Sequence, residues 1–212
     1  MLKFDNKIES VLAEYHLRIE EEDALAQSLS HGERNKRLNE FLLPVGEEVG
    51  IFINSLAKSA KSKTILEIGT SYGYSTIWLA EAAKVTGGKV ITLEISAEKT
   101  SFARQKIEEA GLSEFVEFRV GDALETITKT TETFDFVLVD VWKELYLPCF
   151  NLFFSKLKKG AWVVADNMIF PPHSLPEATA YRKGVQETNA FDTVLMPIGS
   201  GIEVSLFKQI LK

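Results

Sequence analysis

From Lys63 onward the chain alternates short apolar runs with amphipathic stretches, and few folds accommodate that rhythm. Thr64–Ile68, Lys89–Leu93, Phe115–Val120, Phe134–Val139 and Ala161–Ala165 read as buried strands. Ser75–Lys84, Ala97–Ala110, Leu124–Thr130 and Trp142–Leu157 read as helices between them. Strand, helix and strand in succession require crossover connections, which set helices on both faces of a parallel sheet. Near the end the pattern changes. Thr193–Ile198 and Ile202–Phe207 are separated only by Gly199-Ser200-Gly201, too short for a crossover, so this pair is expected to be an antiparallel hairpin.

The expected fold class is therefore α/β: a Rossmann-like, mostly parallel, seven-stranded sheet closed by a C-terminal hairpin. Before it comes a helical extension. Ile8, Val11, Leu12, Tyr15 and Ile19 fall on one helix face, and Glu20-Glu21-Glu22-Asp23 reads as a solvated face. His31-Gly32 breaks the pattern, and Val49, Phe52, Ile53, Leu56, Ala57 and Ala60 mark a second helix. A length of 212 residues suits one domain, 1–212, with 1–60 as the extension. That extension could mediate a homodimer.

The net charge of −6 and the lack of a basic stripe disfavour nucleic acid as a partner. No apolar run is long enough to cross a membrane, and MLKFDNKIES has no secretory h-region. Cys149 is the only cysteine and reads as a small buried hydrophobe on a helix. A cytoplasmic protein is expected.

The first strand runs into Leu66-Glu67-Ile68-Gly69-Thr70-Ser71-Tyr72-Gly73-Tyr74-Ser75. Gly69 and Gly73 allow a sharp turn and close approach of a ligand to the backbone, with a helix N-terminus behind. The middle glycine of the dinucleotide motif is missing, so the turn is not shaped for a pyrophosphate. Glu94 ends the second strand, where a carboxylate accepts hydrogen bonds from ribose hydroxyls. Asp122, after the third strand, is placed to sit beside an adenine ring. Alone, these residues also read as a turn, a strand-end acid and a helix N-cap. Together, on successive strand ends, they point to S-adenosylmethionine rather than NADP.

Two further strands end in acids, at Asp140 and at Asp166-Asn167. Ligands of open α/β sheets bind beyond the carboxyl ends of the strands, so these three side chains can converge. Two carboxylates and an amide oxygen suit Mg²⁺ or a similar divalent cation. Separately, Asp140 reads as the N-cap of a helix starting near Trp142, and Asp166-Asn167 as a turn pair. Lys143 is a surface lysine or a general base. The second role requires its pKa to fall from about 10.4 to roughly 7–8, as a helix N-terminus and a cation would favour. Trp142 is either a wall of an acceptor site or core filler.

Asp140-Val141-Trp142-Lys143, Ala165-Asp166-Asn167 and the Leu66–Ser75 run together resemble the metal-dependent catechol and caffeoyl-CoA O-methyltransferase family, from about Phe41 to the C-terminus. The resemblance implies that Asp140, Asp166 and Asn167 hold Mg²⁺ and that Lys143 deprotonates the attacking hydroxyl. It implies a cofactor site of Val45, Glu67, Gly69, Tyr72, Ser75, Glu94, Asp122, Ala123 and Asp140. Glu203, in Gly201-Ile202-Glu203, would contact the second hydroxyl of a small aromatic diol, and Trp142, Lys143 and Asn167 would border that acceptor. Val141 replaces a histidine of the animal enzymes, Ser200 stands where many relatives have Asp, and the 170–176 loop has no counterpart that could be matched. These departures bear on the acceptor more than on the reaction. Two other functions compatible with the same cofactor domain are methylation of a protein or RNA nitrogen and non-catalytic cofactor binding.

Overall fold

A computed structural model describes residues 4–208; residues 1–3 and 209–212, the two ends of the expected domain, lie outside the described residues. Helices α1 (Asn6–Ser28), α2 (His31–Lys36) and α3 (Glu47–Ser59) come first. There follow β1 (Thr64–Ile68), α4 (Tyr74–Thr86), β2 (Lys89–Glu94), α5 (Ala97–Glu109), β3 (Val116–Val120), α6 (Ala123–Lys129) and β4 (Phe134–Val139). The chain continues through α7 (Tyr146–Phe153), β5 (Leu157–Ala165), α8 (Leu175–Glu187), β6 (Phe191–Met196) and β7 (Ile202–Phe207). The seven strands form one sheet in the order β3-β2-β1-β4-β5-β7-β6. Strands β1 to β5 pair in parallel, whereas β7 runs antiparallel to both β5 and β6. The order reverses between β1 and β4, which is where ligands enter sheets of this kind.

The sheet is buried on both sides because alternate residues face opposite layers. Ile65, Phe136, Leu138, Val164 and Val204 pack beneath α1, α3, α4 and α5. Leu66, Ile68, Val137, Val139 and Val163 pack beneath α6, α7 and α8. Val137 and Leu138 are both fully buried, on opposite faces, and each contributes about 1.5–3 kcal/mol through burial. Helix α1 uses Ile8, Val11, Leu12 and Tyr15 against its own chain. Leu17 and Leu25 are exposed.

The strands and the hairpin follow the expected pattern, with local differences. Strand β5 begins at Leu157 rather than Ala161, with Lys158-Lys159-Gly160 as its more exposed start. The expected helix Trp142–Leu157 is an α-helical stretch, α7, between two 3₁₀ turns, Lys143–Leu145 and Phe154–Lys156. Helix α8 was not expected. Strand β6 starts two residues earlier than expected, at Phe191. At the expected break, α2 begins, because Ser30 and Glu33 form a reciprocal capping box. Cys149 is buried on α7, as expected. No described helix is long and apolar enough to cross a membrane.

Candidate active site

The carboxyl ends of β1 to β5 share one edge, and backbone hydrogen bonds carry their alignment one residue further. Gly69 and Thr70 N–H donate to Leu93 O (both 3.0 Å), Asp140 N–H to Ile68 O (2.9 Å), and Asp166 N–H to Val139 O (3.1 Å). Gly69 has φ +105°, and a Cβ there would sit 1.8 Å from the carbonyl oxygen of Asp140. The first loop therefore lies directly against the end of β4, which only glycine permits. Glu94 stabilises the same loop: its two carboxylate oxygens accept from Ser71 N–H (2.8 Å) and Ser96 N–H (2.9 Å). Each oxygen keeps a lone pair for a ligand hydroxyl.

At the ends of β4 and β5 the second cluster assembles. Lys143 leaves the first 3₁₀ turn and points back to the end of β5. Its Nζ donates to Asp166 O (2.9 Å), to Asn167 Oδ1 (3.4 Å) and to the hydroxyl of Tyr146, which itself donates to Asp166 O (3.1 Å). Burial lowers the Lys143 pKa to about 8, against the opposing pull of Asp140 and Asp166. Burial raises both carboxylates above the usual range, Asp166 further through the charge of Asp140. Asp166 is buried, and its Oδ1 has no hydrogen-bond partner among the described residues. Asn167 adopts a left-handed backbone (φ 50°), a conformation concentrated at functional sites. Neither Asp140 nor Asp166 caps a helix; the cap of the following turn is Trp142, with no side-chain bond. Among the described residues no group of three or more His, Cys, Asp or Glu is arranged for a metal. The third donor of this set is an amide.

The other sequence candidates divide into those at this edge and those behind it. Ser75 and Glu67 lie behind: Glu67 is fully buried and accepts from Ser75 Oγ (2.7 Å), Thr76 Oγ1 (2.6 Å) and Thr92 Oγ1 (2.6 Å). Asp122 is exposed and caps α6, accepting from Glu125 N–H (2.9 Å), with Ala123 as the first helical residue. Val45 is buried, and its carbonyl lies beside the hairpin loop at Gly199. Tyr72 is held from the α1 side, under Arg18. Trp142 is 49% exposed, so it is not core filler. Glu203 is buried and accepts from Arg182 Nε (2.9 Å) and Thr193 Oγ1 (2.8 Å). Sequence reasoning missed Tyr146; its signal was its place three residues after Lys143, one turn along.

Glu67 has a measurable consequence. Burial pushes its pKa up to about 7, while the three hydroxyl donors pull it down. A folded-state pKa above the unfolded value means that the folded chain binds the proton more tightly. This contribution to stability is therefore full below about pH 4.5 and fades as the pH rises through about 7. Glu67→Gln has no such proton. Urea unfolding at pH 5 and pH 8 is expected to show wild type losing ground relative to the variant; parallel behaviour would refute the buried, protonated carboxyl.

Comparisons with known proteins give the family and agree with the fold. A family model described as O-methyltransferase matches residues 18–206. The chain belongs to the O-methyltransferase family. It is 33% identical over 157 residues to a catechol O-methyltransferase of Niastella koreensis, covering 72% of this chain and 70% of that one. It is 29% identical over 182 residues to caffeoyl-CoA O-methyltransferase 5 of Nicotiana tabacum, covering 76% and 75%. Some curated relatives are matched over only about half their length, 53% in one case. The fold superposes with TM-score 0.76 and 26% identity on an O-methyltransferase from Bacillus cereus solved in complex with SAH, covering 98% of this chain and 93% of that one.

Proposed function

We propose that this O-methyltransferase is S-adenosylmethionine-dependent and transfers a methyl group to a hydroxyl of a catechol-like small aromatic acceptor, with a divalent cation assisting. The observation that carries the reading is the cluster of Asp140, Asp166, Asn167 and a half-buried Lys143 beside the Gly69 loop. The relatives' names and the SAH-bound neighbour support it. We further propose one methyltransferase domain over 1–212 and a cytoplasmic location, consistent with a single buried cysteine.

The residues fit a hard cation. The partnerless Oδ1 of Asp166 is a buried acceptor that a cation would satisfy, and two neighbouring carboxylates are more stable with a positive charge between them. When bound, S-adenosylmethionine supplies an electrophilic methyl group and Mg²⁺ favours the ionised form of an acceptor hydroxyl. Asp140, Asp166 and Asn167 would hold the cation. Glu94 would accept the ribose hydroxyls, and Gly69 would let the cofactor lie against the backbone. Lys143, its pKa already lowered by burial, would take the acceptor proton. Trp142, with Ile169 and Phe170 exposed after β5, would border the aromatic ring. Holding both reactants in line would supply much of the acceleration.

The test is methyl transfer from labelled S-adenosylmethionine to a panel of catechols, with Mg²⁺ and with EDTA. Product that is lost in EDTA and returns with Mg²⁺ is expected. Transfer indifferent to EDTA would overturn the metal role, and SAH binding without transfer to any catechol would overturn the acceptor.

A further inference from the structure

Helix α1 carries Tyr15, Arg18 and Glu22 at spacings of three and four, so the three side chains form one stripe. Each leaves the helix to hold a loop at the sheet edge. Tyr15 Oη donates to the carbonyl oxygen of Tyr72 (2.6 Å). The Arg18 guanidinium lies over the Tyr72 ring, 4.0 Å from its centroid. Its Nε donates to Glu22 Oε1 (2.7 Å) and its Nη2 to the carbonyl of Glu40 (3.3 Å). The other Glu22 oxygen accepts from Leu42 N–H (2.6 Å). The Leu42 carbonyl accepts from Ser71 Oγ (3.4 Å), and Ser71 N–H donates to Glu94. One chain of contacts thus runs from α1 through residues 40–42 to the loop after β1 and to Glu94.

An ion pair on a helix surface contributes little to folding by itself. Here both partners are only a quarter or less exposed, and both reach past each other to backbone groups of the single segment 40–42. Leu43 (φ 47°), next to that segment, and Ser71 (φ 46°), in the loop after β1, are non-glycine residues in left-handed conformations. Such residues persist where the surroundings over-determine them, which the stripe does from one side.

We infer that Arg18 and Glu22 are positioning residues for the cofactor: they clasp residues 40–42 against the loop 69–73 and preset the loop and Glu94 for binding. The inference rests on the proposal that this loop binds S-adenosylmethionine. It gives the N-terminal helix a role in binding rather than only in burial. Preorganisation of this kind lowers the ordering cost paid on binding, so its loss appears in affinity and not in the chemical step.

Calorimetric titration of SAH into wild type, Arg18→Ala, Glu22→Ala, the double variant and Asp23→Ala tests it. Asp23→Ala removes an exposed acid of the same helix and serves as the charge control. Each single clasp variant is expected to weaken SAH binding on the order of tenfold. The double variant should be no weaker than the worse single, because the two act as one unit. In turnover, KM for S-adenosylmethionine should rise while kcat at saturation holds. Glu22→Gln, which keeps an acceptor for Leu42 N–H, should recover part of the loss. In wild type, SAH should slow hydrogen exchange at the Leu42 amide, a readout independent of whether any variant folds. Unchanged Kd in the clasp variants, an equal loss in Asp23→Ala, a lowered melting temperature with Kd intact, or no change in Leu42 exchange would each overturn the inference. Absence of SAH binding in wild type itself would instead overturn the cofactor proposal, and this inference with it.

Discussion

Lys143→Met is expected to lower kcat by about 10²- to 10⁴-fold, the usual contribution of a positioned proton acceptor. Methionine keeps most of the aliphatic stem and loses only the amine. The hydroxyl of Tyr146 still donates to Asp166 O, so the local backbone keeps a partner. SAH affinity should stay within about twofold, because Nζ contacts Tyr146 and the end of β5 and not the Gly69 loop. Lys143→Arg should not restore turnover, since a guanidinium stays charged at all working pH values. Single-turnover kinetics at saturating cofactor, beside SAH titration, separates these expectations. A kcat within about threefold of wild type would remove Lys143 from the chemistry and leave it as an internal tie between the ends of β4 and β5.

Gly69→Ala should have the largest effect on the folded state. The new methyl would lie 1.8 Å from the Asp140 carbonyl oxygen, at a backbone angle that side chains disfavour. Neither partner can retreat freely, because Asp140 N–H is bonded to Ile68 O and Gly69 N–H to Leu93 O. A clash with fixed backbone together with a strained φ should cost upward of about 3 kcal/mol. The urea midpoint is expected to fall accordingly, and SAH binding to fail in whatever fraction folds, because the loop and Asp140 must separate. A variant within about 1 kcal/mol of wild type that still binds SAH would show that the contact between loop and strand end is not needed.

How much of this was legible beforehand depended on whether one segment carried its own signal. Strands β1 and β4 were read to the residue because Thr64–Ile68 and Phe134–Val139 are dense apolar runs with polar flanks. Helix α8 was not, although Ala178, Tyr181 and Val185 stand at helical spacing, because the prolines before it read as a long loop. That omission spread. Arg182 comes from α8, so the burial and pairing of Glu203 could not be seen from the hairpin alone. Glu22 reads as part of a solvated acidic run, and its neighbours Glu21 and Asp23 are exposed. Its partner is the backbone of Leu42, twenty residues on, and no local pattern announces a contact of that separation. The acids at the strand ends were legible because parallel topology decides where strand ends go, whereas the packing of α1 over the glycine loop follows from tertiary contacts alone.

The exposed apolar residues after β4 and β5 carry a consequence for adaptation. Trp142, Ile169 and Phe170 are 42–59% exposed, and as surface residues they contribute little to the buried core. Behind them, Asp140 and Asp166 are held by backbone hydrogen bonds at the ends of buried strands. If they border the acceptor, as proposed, a lineage can exchange one acceptor for another at the positions of Trp142, Ile169 and Phe170 without risking the fold, keeping one reaction while its diet of substrates drifts.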